Sequence, residues 1–159
     1  MIKLLEENNL ILMEGAVNER LRRSDDIELH PVLVSAPLIY DVNGRRKLTE
    51  IYNSYIEVAK DTDFPFLMCA PTWRTNYLRV TESGINKDIN IDAVNFMKEI
   101  RKSHGTFSHK IKIGGIIGCK NDCYKPEEGL SKKESESFHY WQADQLAKGG
   151  VDFLIAETI

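Results

Sequence analysis

With 159 residues, 42% hydrophobic and 28% charged, the chain has the balance of one soluble globular domain and reads as a single unit over residues 1–159. Its 21 Lys and Arg against 24 Asp and Glu leave a net charge of −3, which argues against a nucleic-acid partner, since that needs a basic excess on one face. No apolar run approaches the roughly 18 residues that span a bilayer, so no membrane partner is expected. The N-terminal runs Ile2–Leu5 and Leu10–Met13 are split by Glu6-Glu7-Asn8-Asn9, which interrupts any signal-peptide core. Three cysteines do not make a disulfide framework, and a reducing cytoplasm is the expected location.

The first predicted strand is Leu10-Ile11-Leu12-Met13, stopped by Glu14-Gly15. In Ile27–Asp41 the apolar stretch Pro31–Pro37 carries a proline at each end, so it reads as a long covered loop, with a strand as the alternative. Leu48, Ile51, Tyr52, Tyr55, Ile56 and Ala59 then share one face of a helix. Phe64–Ala70 is the second strand, stopped by Pro71, and Ile91, Val94, Met97 and Ile100 mark a helix over Ile91–Arg101. Ile111–Ile117 is the third strand, closed by Gly118. Ser131-Lys132-Lys133-Glu134 is a capping box, in which the serine hydroxyl and the glutamate each satisfy a free backbone amide. The helix it opens carries Phe138, Trp141, Ala143 and Leu146 and ends at Gly149-Gly150, and Val151–Ala156 follows as the fourth strand. Apolar runs without alternation suit strands covered on both faces. Their alternation with helices predicts an α/β fold with right-handed parallel crossovers.

The strand ends carry a resemblance. Leu10–Ala16 followed by Glu19-Arg20-Leu21 resembles the opening of the homocysteine S-methyltransferases, in which the first strand usually ends in an aspartate and a glycine. Ala70-Pro71-Thr72-Trp73-Arg74-Thr75-Asn76 resembles the end of that family's second strand. Gly129-Leu130-Ser131, the helix after it, and Gly149-Gly150-Val151-Asp152-Phe153-Leu154-Ile155-Ala156-Glu157-Thr158-Ile159 resemble its fourth helix and strand. The likeness runs from about Leu10 to the last residue. It implies a (β/α)8 TIM-type barrel with chemistry at the C-terminal strand ends; such a barrel takes about 250 residues, so the expected architecture here is its first four βα units, a half-barrel of parallel strands.

The resemblance also implies an activity, the transfer of a methyl group from a donor to the thiol of homocysteine, giving methionine. Family members hold zinc on three cysteines late in the barrel, where the metal turns the substrate thiol into a thiolate. The strands that supply those ligands have no counterpart in this sequence, so no zinc is expected to bind this chain, and it is expected to be inactive alone. The part of the pocket that carries over is the one for the amino acid. Glu14 stands at the family's first-strand acid, one methylene longer than the usual aspartate, Gly15 at its glycine, and Glu157 at its fourth-strand acid. Two carboxylates at a barrel rim suit the α-ammonium of homocysteine. Thr72 and Asn76, just past the second strand, either line the same pocket or cap the segment that follows. The competing reading of Glu14 is a helix cap or solvated turn residue, and that of Glu157 an exposed carboxylate.

Cys119 and Cys123 have a C-x3-C spacing beside the third strand, with Cys69 ending the second. One such pair is a weak metal signal, and structural thiols are the leading reading, ahead of local zinc and redox sensing. His30, His104, His109 and His139 show no ligand spacing and read as packing or surface residues. Arg20–Arg23 and Arg45–Lys47 have acidic neighbours and read as solvated faces. A second functional reading, of a different class, is a non-catalytic half-barrel that binds an amino acid or a partner chain. In either case the fourth strand is an open apolar edge, which invites a homodimer.

Overall fold

Each of the four apolar runs forms a strand in the computed structural model, which describes residues 1–158; Ile159, the end of the last matched block, lies outside the described residues. In chain order the elements are helix α1 (Ile2–Glu7), strand β1 (Leu12–Met13), helices α2 (Val17–Arg22) and α3 (Val42–Asp61), strand β2 (Phe66–Ala70), helices α4 (Tyr77–Ser83) and α5 (Ile89–Ser103), strand β3 (Ile111–Ile117), helix α6 (Lys132–Gly149) and strand β4 (Phe153–Ala156). The strands lie in the order β1-β2-β3-β4 and every neighbouring pair is parallel. Four parallel strands with alternating helices curl into a half-barrel, an α/β arrangement consistent with part of a TIM barrel.

The expected boundaries move for local reasons. The first strand keeps only Leu12 and Met13 of its four apolar residues, because pairing with β2 begins at Leu12↔Phe66. The fourth begins at Phe153 instead of Val151. There the Asp152 amide donates to the Ile113 carbonyl at 2.7 Å and the Asp152 carboxylate accepts from the Ile113 amide at 2.7 Å, so a side chain takes one rung of the ladder. Helix α3 starts six residues before the apolar face does, because Asp41 caps it by accepting from the Gly44 amide at 2.6 Å. Ile27–Asp41 is a loop with one bridge between His30 and Val34 and a 3-10 turn at Ala36–Tyr40. The capping box of α6 is present, and Gly150 ends that helix at φ 79°, in the left-handed region that glycine accepts without steric cost. Helices α1 and α4 are additions to the expected order, and α2 fills the place after the first strand to which the sequence assigned no residues. In chain order the three have six, six and seven residues and between them bury only Leu21, so they show no long apolar stripe to read.

Side-chain alternation gives the sheet two faces. Phe66, Met68, Ala70, Ile111 and Ile113 point outward into a core with Leu48, Ile56, Ala93, Val94, Met97 and Leu146 of the helices. Each of the Phe, Met, Leu, Ile and Val side chains among them contributes about 1.5–3 kcal/mol when removed from water. Gly115 lets α6 approach, for a Cβ there would stand 2.7 Å from Leu146. The opposite, concave face carries Leu67, Cys69, Gly114, Ile116, Phe153 and Ile155. A Cβ on Gly114 would collide with the Phe153 ring and stand 2.8 Å from Cys69 Sγ.

Candidate functional site

The C-terminal strand ends collect the acids singled out in the sequence. Strand β1 stops at Met13, and the carboxylate of Glu14 replaces the backbone rung that would follow: Oε1 accepts from the Cys69 amide at 2.9 Å. Its other oxygen, Oε2, is buried with no hydrogen-bond partner. Burial pushes the Glu14 carboxyl up to about 7, against the pull of hydrogen bonds from the backbone amides of Cys69 and Glu14 and from the Cys69 thiol; the charge of Glu157 adds to the rise. Glu157, half-buried, continues the concave side of β4 after Phe153 and Ile155, and its amide donates to the Ile117 carbonyl at 3.0 Å. Gly15 is exposed, and its carbonyl accepts from the Tyr55 hydroxyl at 2.6 Å, which ties the turn after β1 to α3. The structure therefore brings Glu14, Gly15 and Glu157 to one end of the sheet. Glu14 is neither a helix cap nor a solvated turn residue, since α2 has no side-chain cap.

Cys69 and Tyr52 complete this cluster, and neither was singled out as a site residue. The thiol of Cys69 is held well above its ordinary range, first by burial and then by the charges of Glu14 and Glu157. Tyr52 is fully buried and donates to the Cys69 carbonyl at 2.8 Å. Its phenol is raised well above its ordinary value, mainly by burial, with Glu14 next in effect. Only the strand register, which the sequence does not give, brings them to Glu14: with Met13 opposite Leu67, the Glu14 side chain reaches the Cys69 amide.

Thr72 follows β2 at the same end of the sheet. It is fully buried, and its hydroxyl donates to the Ile116 carbonyl at 2.9 Å and accepts from the Ile116 amide at 3.0 Å, linking the loop after β2 to β3. Asn76 caps α4 by accepting from the Arg79 amide at 3.1 Å. The same loop sends Trp73 across the sheet end, where its indole donates to Thr158 at 2.9 Å beside Glu157. Gly118 has no Cβ because one would strike Trp73 at 2.6 Å.

Among the described residues no three of His, Cys, Asp and Glu gather in a way that could hold a metal ion. Cys119 spends its thiol on the Asn121 carbonyl at 2.7 Å, and Cys69 stays protonated among carboxylates. These residues do not fit a tri-thiolate zinc site. His30 accepts from the Val32 and Leu33 amides at 3.1 Å, and His104 bonds Asn53 at 2.9 Å, both packing roles. The basic clusters pair at the surface, Arg46 with Asp26 and Glu50 and Lys47 with Asp26. No helix of the described residues is long and apolar enough to cross a membrane.

Strand ends bearing two carboxylates on a parallel half-barrel agree with the comparison to known families. The family model described as Homocysteine S-methyltransferase matches residues 11–159. The chain belongs to that family. Comparison with curated proteins and with solved structures gave no match. The family match covers all four strands and every candidate site residue, from Glu14 to Glu157.

Proposed function

We propose that this chain forms the amino-acid-binding part of a homocysteine S-methyltransferase, with Glu14 and Glu157 receiving the α-ammonium group of homocysteine. The observation that carries the reading is the buried, partnerless Oε2 of Glu14, at the same end of the sheet as Glu157, whose charge adds to the rise of the Glu14 carboxyl. A buried carboxyl without a partner is costly, and an ammonium supplies both the missing hydrogen bond and the neutralising charge. Gly15, with no side chain beside Glu14, lets the ligand approach the backbone. Thr72 acts at one remove, by fixing the loop after β2 against Ile116.

Homocysteine's thiol then awaits a methyl donor. The complete reaction moves the methyl group from the donor's heteroatom to the thiolate sulfur, releasing the demethylated donor and, in the end, the thiol proton. In the family zinc makes the thiolate; here Cys69, Cys119 and Cys123 do not fit that task, so the chain alone is proposed to bind substrate without turning it over. Three free thiols are compatible with a cytoplasmic setting. The second reading, a half-barrel that docks another chain or a second copy, is favoured by Leu154, 44% exposed on the edge strand β4.

Proton release tests the binding reading. With Glu14 titrating at about 7 in the empty site, about half of it is protonated at pH 7. An ammonium favours the charged form, so homocysteine binding should expel about half a proton per chain. Calorimetric titrations in buffers of different ionisation enthalpy at pH 7 measure this directly. Glu14→Gln should abolish the release, and Glu157→Gln should weaken binding by about tenfold or more, as expected for a lost charge-assisted bond. Binding that releases no proton and ignores both substitutions would overturn the assignment. Sedimentation of the same samples decides between a monomer and an edge-paired dimer.

A further inference from the structure

Away from the strand ends, α4, the loop after β3 and the first half of α6 enclose a groove of about 610 Å3. Tyr77, Leu130, Phe138 and Trp141 supply apolar walls, and Lys120 and Lys133 stand among the lining residues. The aromatic wall is already set: the Tyr77 and Trp141 rings pack edge to face with centroids 5.5 Å apart at 72°. Tyr77 nevertheless remains 55% exposed, and α4, which carries it, buries none of its residues. One acid, Glu134, also lines the groove, but it is committed to the capping box, where Oε2 accepts from the Ser131 amide at 2.9 Å and the Ser131 hydroxyl at 2.5 Å. Neither Lys120 nor Lys133 forms an ion pair among the described residues; the Glu134 carboxylate, held below its ordinary range by Ser131 and by the charge of Lys120, offsets one of the two cations and leaves the groove net positive.

We infer that this groove binds a small aromatic anion, its ring against Tyr77, Phe138 and Trp141 and its acidic head on Lys120 and Lys133. The volume lies within the 300–1,000 Å3 usual for small-molecule pockets, and a flat apolar body with one anionic end matches both the walls and the spare charge. Aromatic surface left open on a protein marks a binding site more often than chance, and here the positive rim selects the occupant. The site is separate from the carboxylate cluster and stands whether or not that cluster holds homocysteine.

The test uses the whole chain carrying Trp73→Phe, so that Trp141 is the one tryptophan left of two. Its fluorescence is followed during titration with 1-anilinonaphthalene-8-sulfonate and, separately, with N-phenyl-1-naphthylamine, which has the same rings and no charge. The expected result is saturable energy transfer from Trp141 to the sulfonate, with the neutral compound about tenfold weaker, the loss of one charge-assisted contact. Adding Lys120→Gln and Lys133→Gln should remove most of that advantage and leave the neutral compound's affinity unchanged, circular dichroism reporting an intact fold. Equal binding of the two compounds, indifference to the lysine substitutions, or no transfer at all would each overturn the proposal. So would an affinity that falls as protein concentration rises together with a dimer in sedimentation, because a second copy would then occupy the groove.

Discussion

Two clusters of buried polar groups lie within one loop of each other, and they are built on opposite terms. Under the loop after β2, Gln142 of α6 donates to the Thr72 carbonyl at 2.6 Å, the Thr75 hydroxyl at 3.1 Å and the Ile116 carbonyl at 3.2 Å. Thr75 donates to Asn90 at 2.6 Å, and Asn90 returns a bond to the Thr75 carbonyl at 3.0 Å. All four side chains are neutral, and only the Gln142 amide oxygen lacks a partner. At the strand ends, by contrast, a titratable carboxyl is buried with an oxygen unpaired and the charge of a second acid acting on it. The first cluster joins the loop after β2 to β3, α5 and α6, and its one unpaired atom is a neutral amide oxygen. The second retains an unmet demand for a cation. Neutral buried polarity that bridges elements is architecture; a buried titratable group left unpaired is the better pointer to function.

Gln142→Ala should break the neutral cluster with the largest effect. It strips a donor from two buried carbonyls and a hydroxyl and opens a cavity beneath the loop, a combination worth about 3–4 kcal/mol. Urea unfolding at pH 7 would show it as a lower midpoint with unchanged slope. The loss should be the same at pH 5 and pH 8, because no member of this cluster titrates between those values. A pH-dependent loss would mean that the two clusters are coupled through the loop.

Glu14→Gln should sharpen the contrast. In the folded chain Glu14 holds its proton up to about pH 7, whereas the unfolded chain loses it near the ordinary value of 4.5. Between those values the folded state carries the extra proton, so stability falls as pH rises from about 4.5 to about 7 and is level beyond. The full difference is roughly 3 kcal/mol as an upper figure, since one unit corresponds to about 1.4 kcal/mol. Glutamine keeps an oxygen for the Cys69 amide and never ionises. The variant should therefore be more stable than the parent at pH 8, by up to that amount, and similar to it at pH 4.5. Unfolding curves across that range check the sign as well as the size.

How far the sequence revealed these clusters follows from what each depends on. Strand identity was legible because Ile111–Ile117 and Phe64–Ala70 are apolar on both faces, and the last helix because Ser131, Glu134 and Gly150 mark its ends. Glu14 and Glu157 were legible only through the resemblance at the strand ends. Thr72 illustrates the limit: its position past β2 suited a pocket wall, but the side-chain direction was decided by Ile116, 44 residues away. Gln142 left a trace, a polar residue between Trp141 and Leu146 on the apolar side of a helix, and its partners all lie beyond the reach of local pattern. Helices α2 and α4 could not be placed because six or seven residues with at most one buried side chain show no periodic face and form only with support from the rest of the fold.

The smallest and most discriminating change is at Cys69, whose thiol donates weakly to the Glu14 carboxylate. A hydroxyl is the stronger donor, and a bond to the charged form favours ionisation. Cys69→Ser should therefore bring the Glu14 midpoint down by roughly half a unit to one unit, about 1 kcal/mol of differential interaction. Cys69→Ala, which donates nothing, should move it upward. Carbon-13 chemical shifts of the Glu14 carboxyl, followed through a pH titration, read the midpoint without reference to global stability. Opposite shifts in the two variants would mean that the site's charge is set by one donor on the concave face of β2. Equal shifts would mean that burial alone sets it, with Cys69 reduced to packing against Gly114 and Phe153.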